Sequence, residues 1–240
     1  MRFACMTDVG RTRSMNQDTC CAEQLSDDIA LAVVCDGLGG VSGGEVASEI
    51  AVRAIVEQIS AGVARRQTKS MRYLLETAVA AANALILEQG KARPELAGMG
   101  TTAVVALAVG GVAHIAHVGD SRAYLVDGAG MTQLTRDHSM VQALVESGDI
   151  TPEQALQHPR RNVITRALGA ESAVRPDYCE QPLGGGILLL CTDGLTNYAD
   201  TAEIPRTVKE NDFFKVPELL VDMANRGGGG DNISVALLAE

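Results

Sequence analysis

Three aspartates carry the strongest chemical signal in this chain. Asp36 lies in VVCDG, Asp193 in LLLCTDG and Asp231 in GGGGDNISVALL, each beside a small or turn-prone residue at the edge of an apolar run. An ionised carboxylate at the mouth of a buried strand is costly unless a counter-charge meets it. Three such sites from distant parts of the sequence invite a shared cation. Carboxylate oxygens with no nearby cysteine and histidine set suit a hard ion such as Mg2+ or Mn2+.

A second polar concentration runs as D-x-G-x-x-R-x-x-N-Q-D from Asp8 through Gly10, Arg13, Asn16 and Gln17 to Asp18. By itself it reads equally as turn chemistry, because Gly, Asn and Asp all favour turns, or as a functional segment. Six cysteines, at 5, 20, 21, 35, 179 and 191, show no C-x-x-C spacing, which argues against zinc. Cys35 and Cys191 sit in apolar runs and read as small hydrophobes.

The elements that must position these residues follow from periodicity. Strands are predicted at Arg2–Thr7, Asp18–Glu23 and Ile29–Cys35. Ser42-Gly43-Gly44-Glu45 has the form of a capping box, and Val46, Ile50, Ala54, Ile55 and Ile59 recur after it at helical spacing. A second helix is predicted over Ser70–Lys91, closed by Pro94 and Gly98. Strands over Thr102–Val109, Val112–Val118, Ala123–Val126 and Met131–Leu134 form a meander, broken at Gly110-Gly111, Gly119-Asp120 and Asp127-Gly128. Thr101–Val118 is long enough to cross a membrane, but its paired glycines, His114 and His117 make it two strands and a turn.

From Ser139 to Arg161 the chain turns polar and helical, with Thr151-Pro152-Glu153 opening a short helix. Strands at Tyr178–Gln181 and Ile187–Cys191, helices over Ala202–Glu210 and Phe213–Ala224, and a last strand at Ile233–Leu238 complete the pattern. The class is α+β, antiparallel sheets with helices packed outside them. No repeat or linker divides the 240 residues, so one domain is expected.

The net charge of −10, from 30 acidic and 20 basic residues, argues against nucleic acid or an anionic membrane as the main partner. The N-terminal MRFACMTDVG lacks the apolar stretch of a signal peptide, and a reducing cytoplasm fits the cysteine pattern. Nothing points to an obligate interface, and a monomer is expected.

The ordered set Asp8–Asp18, Asp36-Gly37-Leu38-Gly39-Gly40, Ser42–Ser48, Gly100-Thr101-Thr102, Gly119-Asp120-Ser121-Arg122, Asn162–Gly169, Asp193-Gly194-Leu195-Thr196 and Gly230-Asp231-Asn232 resembles the type 2C, metal-dependent protein serine/threonine phosphatases (PPM family), in particular the compact bacterial members. The resemblance spans about residues 7 to 238. It implies a four-layered α-β-β-α sandwich with a two-metal centre, Mn2+ or Mg2+, at one end of the sheets. By position, it implies that Asp36 bridges both metals, that the Gly37 carbonyl ligates one, and that Asp193 and Asp231 ligate the other. Asp18 would hold metal-bound water, and Asp120, with Asp193, would bind a third, weaker metal; a plain turn aspartate is the other reading of Asp120. Arg13 matches the phosphate-binding arginine, with Arg11 as its competitor if the segment is an extended strand.

Two cations a few ångström apart lower the pKa of a shared water until it is hydroxide near neutral pH, so no phosphoenzyme is needed. The positive charge that holds the phosphoryl oxygens is then a guanidinium. Substrates implied by the resemblance are phosphoserine and phosphothreonine proteins, opposed by a bacterial serine/threonine kinase. The chain departs from the family at Leu38 and Val41, where relatives carry a histidine proposed as general acid. His158, just before Asn162, is the candidate replacement, with an ordinary helix-end histidine as the alternative. His114, His117 and His138 read as structural. Residues 139–161 correspond to the family's flap beside the cleft.

Three other readings fit parts of the pattern. Gly40-Val41-Ser42-Gly43-Gly44 satisfies G-x-S-x-G, but an elbow serine follows its strand at once, whereas Ser42 stands well beyond Cys35. A non-catalytic phosphoprotein-binding member of the fold would be marked by loss of a metal aspartate, and none is lost. A phosphatase of small phosphoesters would use the same centre.

Overall fold

The computed structural model describes residues 1–40, 43–65 and 70–240. Val41 and Ser42 lie outside them, and with them the capping-box serine and one of the two positions of the missing histidine.

Two antiparallel sheets stack face to face. The first has the order β1 (Arg2–Asp8), β11 (Ile233–Ala239), β10 (Ile187–Cys191), β7 (Arg122–Asp127), β8 (Gly130–Gln133). The second runs β2 (Asp18–Ser26), β3 (Ile29–Leu38), β5 (Ala103–Val109), β6 (Val112–Val118), β9 (Asp177–Pro182), with the two-residue β4 (Gly100–Thr101) paired to the end of β3. Helices α1 (Gly43–Ala64) and α2 (Met71–Ala92) cover the second sheet. The one-turn α5 (Asp193–Thr196), α6 (Ile204–Glu210) and α7 (Val216–Arg226) cover the first. Residues 139–161 hold α3 (Met140–Ser147) and α4 (Pro152–Leu156), each opened by a side-chain cap, Ser139 accepting from the Gln142 N–H and Thr151 in a capping box with Gln154.

Strand alternation sorts side chains into three apolar layers. On β3, Leu31, Val33 and Cys35 face α1 and α2, while Ala30, Ala32 and Val34 face the other sheet. On β10, Leu189 and Cys191 face the helices, and Leu188 and Leu190 the partner sheet. The inter-sheet layer uses small residues, among them Ala30, Ala32, Ala106, Ala108, Ala113 and Ala236, which lets the sheets approach closely.

The four layers and the strand set match expectation, with differences at element ends. β3 continues past Cys35 through Asp36 to Leu38 because Gly37 and Leu38 find backbone partners in Thr101 and Gly100. A Cβ on Gly37 would lie 2.1 Å from the Gly44 carbonyl and 2.4 Å from that of Gln17, so only glycine lets this strand end against α1. The Thr101–Val118 run forms β4, β5 and β6, and among the described residues no helix is long and apolar enough to cross a membrane.

Candidate metal centre

Continuing the inter-sheet alternation toward one end of the sandwich exchanges alanine and leucine for polar groups. After Ala30, Ala32 and Val34 comes Asp36; before Cys20 and Ala22 comes Asp18; after Leu188 and Leu190 comes Thr192. The layer that holds the sheets together apolarly thus becomes, at this end, a carboxylate cluster.

Asp18 and Asp36 are register partners on β2 and β3, so their side chains share one face. Like charges directly opposite destabilise a strand pair, and three more carboxylates join them. Asp120 arrives on the turn between β6 and β7, Asp193 at the start of α5, and Asp231 just before β11. Asp36, Gly37, Asp120, Asp193, Asp231, Arg13, Asn162 and Asn232 line one cavity of about 260 Å3. Burial pushes the Asp18 carboxyl up to about 7, with Asp193 and Asp231 adding repulsion against the Thr192 and Ser234 hydroxyls. Burial also raises Asp36 well above the usual range, helped by Asp18, Asp193, Asp120 and Asp231. Asp120 rises to about 7, first through burial and then through Asp193. Burial and Asp231 likewise raise Asp193.

Second partners fix each carboxylate. The Thr192 hydroxyl donates to Asp18 Oδ2 at 2.9 Å and accepts the Ser234 N–H. Asp36 is held through its backbone: its N–H donates to Thr102 Oγ1, and its carbonyl accepts from Thr101 Oγ1 and the Thr102 N–H. Asn197 Nδ2 donates to Asp193 Oδ2 at 2.9 Å. A Cβ on Gly194 would lie 1.8 Å from the Asn232 carbonyl, so the second Asp-Gly pair, like the first, needs glycine for a close backbone approach.

Residues 9–17 form a turn and not an extended strand. Alternation therefore does not put Arg11 and Arg13 on one side. The Arg11 N–H donates to the Gly229 carbonyl, while Arg13 reaches the cavity and grips Asp231 through both Nε and Nη2 at 3.0 Å. The polar motif proves to be both turn and site. Asp8 accepts from the Gly10 N–H, Asn16 Oδ1 accepts from the Asp18 N–H, and Arg13 faces the carboxylates.

Asn232 pins this turn. Its Oδ1 accepts the Gln17 N–H, and its Nδ2 donates to the carbonyls of Val9 and Met15. Asn232 and Thr102 belong to the motifs read in the sequence, but the sequence assigns no role to them, nor to Thr192 and Asn197. Their signal in the sequence is membership of, or closeness to, those motifs, and their partners are up to 223 positions away in the chain.

His158 is not brought to the centre. It follows α4, its Nδ1 accepts the Arg160 N–H, and it does not line the carboxylate cavity. Leu38, at the other position where a histidine was sought, does line it.

Behind Asp120 the same end of the inter-sheet layer carries His117, His138 and Asp177, close enough together to hold an ion. Their bonding capacity is already committed. Arg166 pairs with Asp177 at 2.9 Å, His117 Nε2 donates to the Arg136 carbonyl, and His138 Nδ1 accepts the Gly119 N–H at 3.0 Å. Burial, His117 and Arg166 pull His138 down to about 4, so it is neutral. The His138 backbone N–H returns a bond to the Gly119 carbonyl, and the His138 carbonyl accepts from the Thr165 N–H, so one histidine ties the Asp120 turn to the chain on either side of residues 139–161. His138→Ala leaves the buried Gly119 N–H unpaired and should cost about 1–3 kcal/mol in urea unfolding; an unchanged midpoint would refute the clamp.

The comparisons with known proteins agree with this geometry. Residues 10–227 match the family model of protein phosphatase 2C. The chain belongs to the protein phosphatase 2C family. It is 38% identical over 234 residues to the serine/threonine phosphatase stp of Listeria innocua, covering 97% of this chain and 93% of that one. To the serine/threonine protein phosphatase PstP of Mycobacterium tuberculosis it is 34% identical over 237 residues, 99% of this chain but 44% of that longer protein. The crystal structure of the PstP catalytic domain in complex with two manganese ions superposes with a TM-score of 0.86 at 34% identity, covering 98% of this chain and 96% of the other. The serine/threonine phosphatase of S. agalactiae superposes at 0.89, covering 100% and 99%.

In this protein phosphatase 2C member the donor set fits hard divalent ions. Four carboxylates and the Gly37 backbone line one cavity, Asp18 stands opposite Asp36 on the neighbouring strand, and the Asp36 carboxylate accepts no hydrogen bond from any described residue. Without cations, the charge facing them inside the cavity is Arg13.

Proposed function

We propose that this chain is a metal-dependent protein serine/threonine phosphatase that hydrolyses phosphoserine and phosphothreonine. The observation that carries the reading is the convergence of Asp18, Asp36, Asp120, Asp193 and Asp231 with Arg13 at one polar end of the sandwich. Family membership and the manganese-bound PstP domain support it.

In this reading, Asp36, the Gly37 carbonyl, Asp193 and Asp231 hold two Mn2+ or Mg2+ ions. Asp18, steadied by Thr192, orients water, and Asp120 with Asp193 offers a third position. When bound, the cations supply the Lewis acidity that makes water a nucleophile near neutral pH. Arg13 then recognises the phosphoryl group: its guanidinium already presents a two-pronged face to the Asp231 carboxylate, the same geometry a phosphate takes. Half exposed at the cavity mouth, it exchanges one anion for another without a new backbone conformation. His158 reaches a leaving oxygen only if the flap moves, so a proton from solvent in the cavity serves the leaving group more directly.

The partners proposed are phosphorylated proteins and, opposing this enzyme, a serine/threonine kinase. One catalytic domain over residues 1–240, a monomer in the cytoplasm, with residues 139–161 as flap, completes the proposal.

The test is hydrolysis of a phosphothreonine peptide and of an aryl phosphate with Mn2+, with Mg2+ and after chelation. Turnover that survives chelation overturns the reading. Turnover of the aryl phosphate without the peptide would favour a small-phosphoester enzyme. Arg13→Ala should lower kcat/KM about 10- to 100-fold, the worth of a paired charge-assisted contact, with Arg13→Lys recovering part. Equal activity in Arg13→Ala would remove the arginine from phosphate binding.

A further inference from the structure

Cys5 and Cys20 take no part in the centre described above. β1 and β2 are edge strands of the two sheets on the same side of the sandwich, and their Cα atoms come within 8 Å of one another. Alternation places Phe3, Cys5 and Thr7 on the inter-sheet face of β1, and Asp18, Cys20 and Ala22 on that of β2. Phe3, Cys20 and Ala22 all pack against the inter-sheet core. The two cysteines thus face each other across the open edge, Cys5 exposed and Cys20 half-buried behind it.

The neighbouring Cys20 thiol foremost, and the Ala22 backbone after it, pull the Cys5 thiol down to about 7 despite its partial burial. A disulfide needs the two Cβ atoms about 3.5–4.5 Å apart, which facing residues on two strands in contact can reach. The adjacent Cys21 points the other way, into the layer under α1 and α2. Cys35 and Cys191 are buried in the two helix-facing layers, and Cys179 lies on β9 across the sheet.

We propose that Cys5 and Cys20 form a peroxide-responsive disulfide that staples β1 to β2 and closes the chain segment carrying Arg13. The exposed Cys5 thiolate attacks one oxygen of hydrogen peroxide; the O–O bond breaks, leaving Cys5 sulfenic acid and hydroxide, which is protonated to water. The Cys20 sulfur then attacks the Cys5 sulfur. An S–S bond forms, the S–O bond breaks, and the departing oxygen leaves as water with the Cys20 proton. Two thiols have given up two protons and two electrons, and one peroxide has become two waters.

The enclosed segment includes Asp8, Arg13 and Asp18 and is otherwise tied down by Arg11 onto Gly229 and Gln17 onto Asn232. The cross-link adds a third tie at its base. This inference concerns thiol chemistry and stands whether or not the chain is a phosphatase.

The experiment treats the full chain with hydrogen peroxide, alkylates the remaining thiols with iodoacetamide and maps a non-reducing digest by mass spectrometry. Expected are a peptide joining Cys5 to Cys20, loss of two of the six thiols, slower proteolysis within residues 6–19, and reversal by a thiol reductant. Cys5→Ser and Cys20→Ser each lose the linked peptide, whereas Cys21→Ser keeps it. A Cys5–Cys21 link, full alkylation of both Cys5 and Cys20 after peroxide, or accumulation of Cys5 sulfinic acid in the parent overturns the proposal. The parent measurement decides even if a variant fails to fold.

Discussion

Asp36→Asn is expected to lower kcat/KM for a phosphothreonine peptide by about 10^3-fold or more and to abolish its Mn2+ dependence. The estimate follows from the several kcal/mol of transition-state stabilisation that metal ions supply and the factor of ten per 1.36 kcal/mol. Asn keeps the size of the side chain and both backbone bonds of Asp36 to Thr102, so the end of β3 stays in place. Only the central charge is lost. Asp36 is the carboxylate whose repulsion comes from Asp18, Asp193, Asp120 and Asp231 together, which marks the middle of the cluster. Steady-state kinetics over a Mn2+ titration, with circular dichroism to confirm the fold, checks it. Activity within tenfold of the parent would show that Asp36 does not hold the metal.

The second large effect is on stability. In the metal-free protein the Asp18 and Asp120 carboxyls titrate near 7 instead of near 4. Between those values the folded chain binds more protons than the unfolded one, so the stability slope with pH is negative. Metal-free protein is therefore most stable below about pH 4 with respect to these two groups, and it loses that contribution as pH rises through 7. A cation that binds only the folded state offsets the repulsion and adds about 2.7 kcal/mol at a hundredfold excess over Kd. For a chain of this size that corresponds to a rise in Tm of roughly 5–10 °C. Thermal unfolding at pH 5.5 and 8, with chelator and with Mn2+, gives four numbers. The expected result is a Tm that falls with pH in chelator, with Mn2+ raising it most at pH 8. Asp36→Asn in chelator should unfold higher than the parent at pH 8, because one repelling charge is gone. A Tm in chelator that rises across this range would contradict the clustered carboxylates.

The Asp-Gly pairs are legible in the sequence by itself. Asp36 and Asp193 each follow a run of residues that alternation buries on both faces, and an acidic residue there has no structural use of its own. Asp18 is less legible, because its neighbours Thr19, Cys20 and Cys21 do not make a plain buried strand; only the company of Arg13 and Asn16 makes it informative. His138 was read as structural, and it is, but its bond to the Asp120 turn depends on two segments meeting 19 positions apart. The one-turn helix α5 and the two-residue β4 are too short for periodicity to register. Each exists because a neighbour supplies its partners, Asn232 beneath Gly194 and the end of β3 beside Thr101.

The sequence alone determined the strands and helices, the α+β class, the identity of the acidic residues and the family they imply, because burial period and turn residues are local properties of the chain. Only the tertiary structure decided that Asp18 stands opposite Asp36, that Arg13 and not Arg11 enters the cavity, that His158 stays outside it, and that Cys5 faces Cys20 across the open edge. The reason is that these are relations between strands and turns far apart in sequence. They are set by register and by sheet-on-sheet packing, which no single segment specifies.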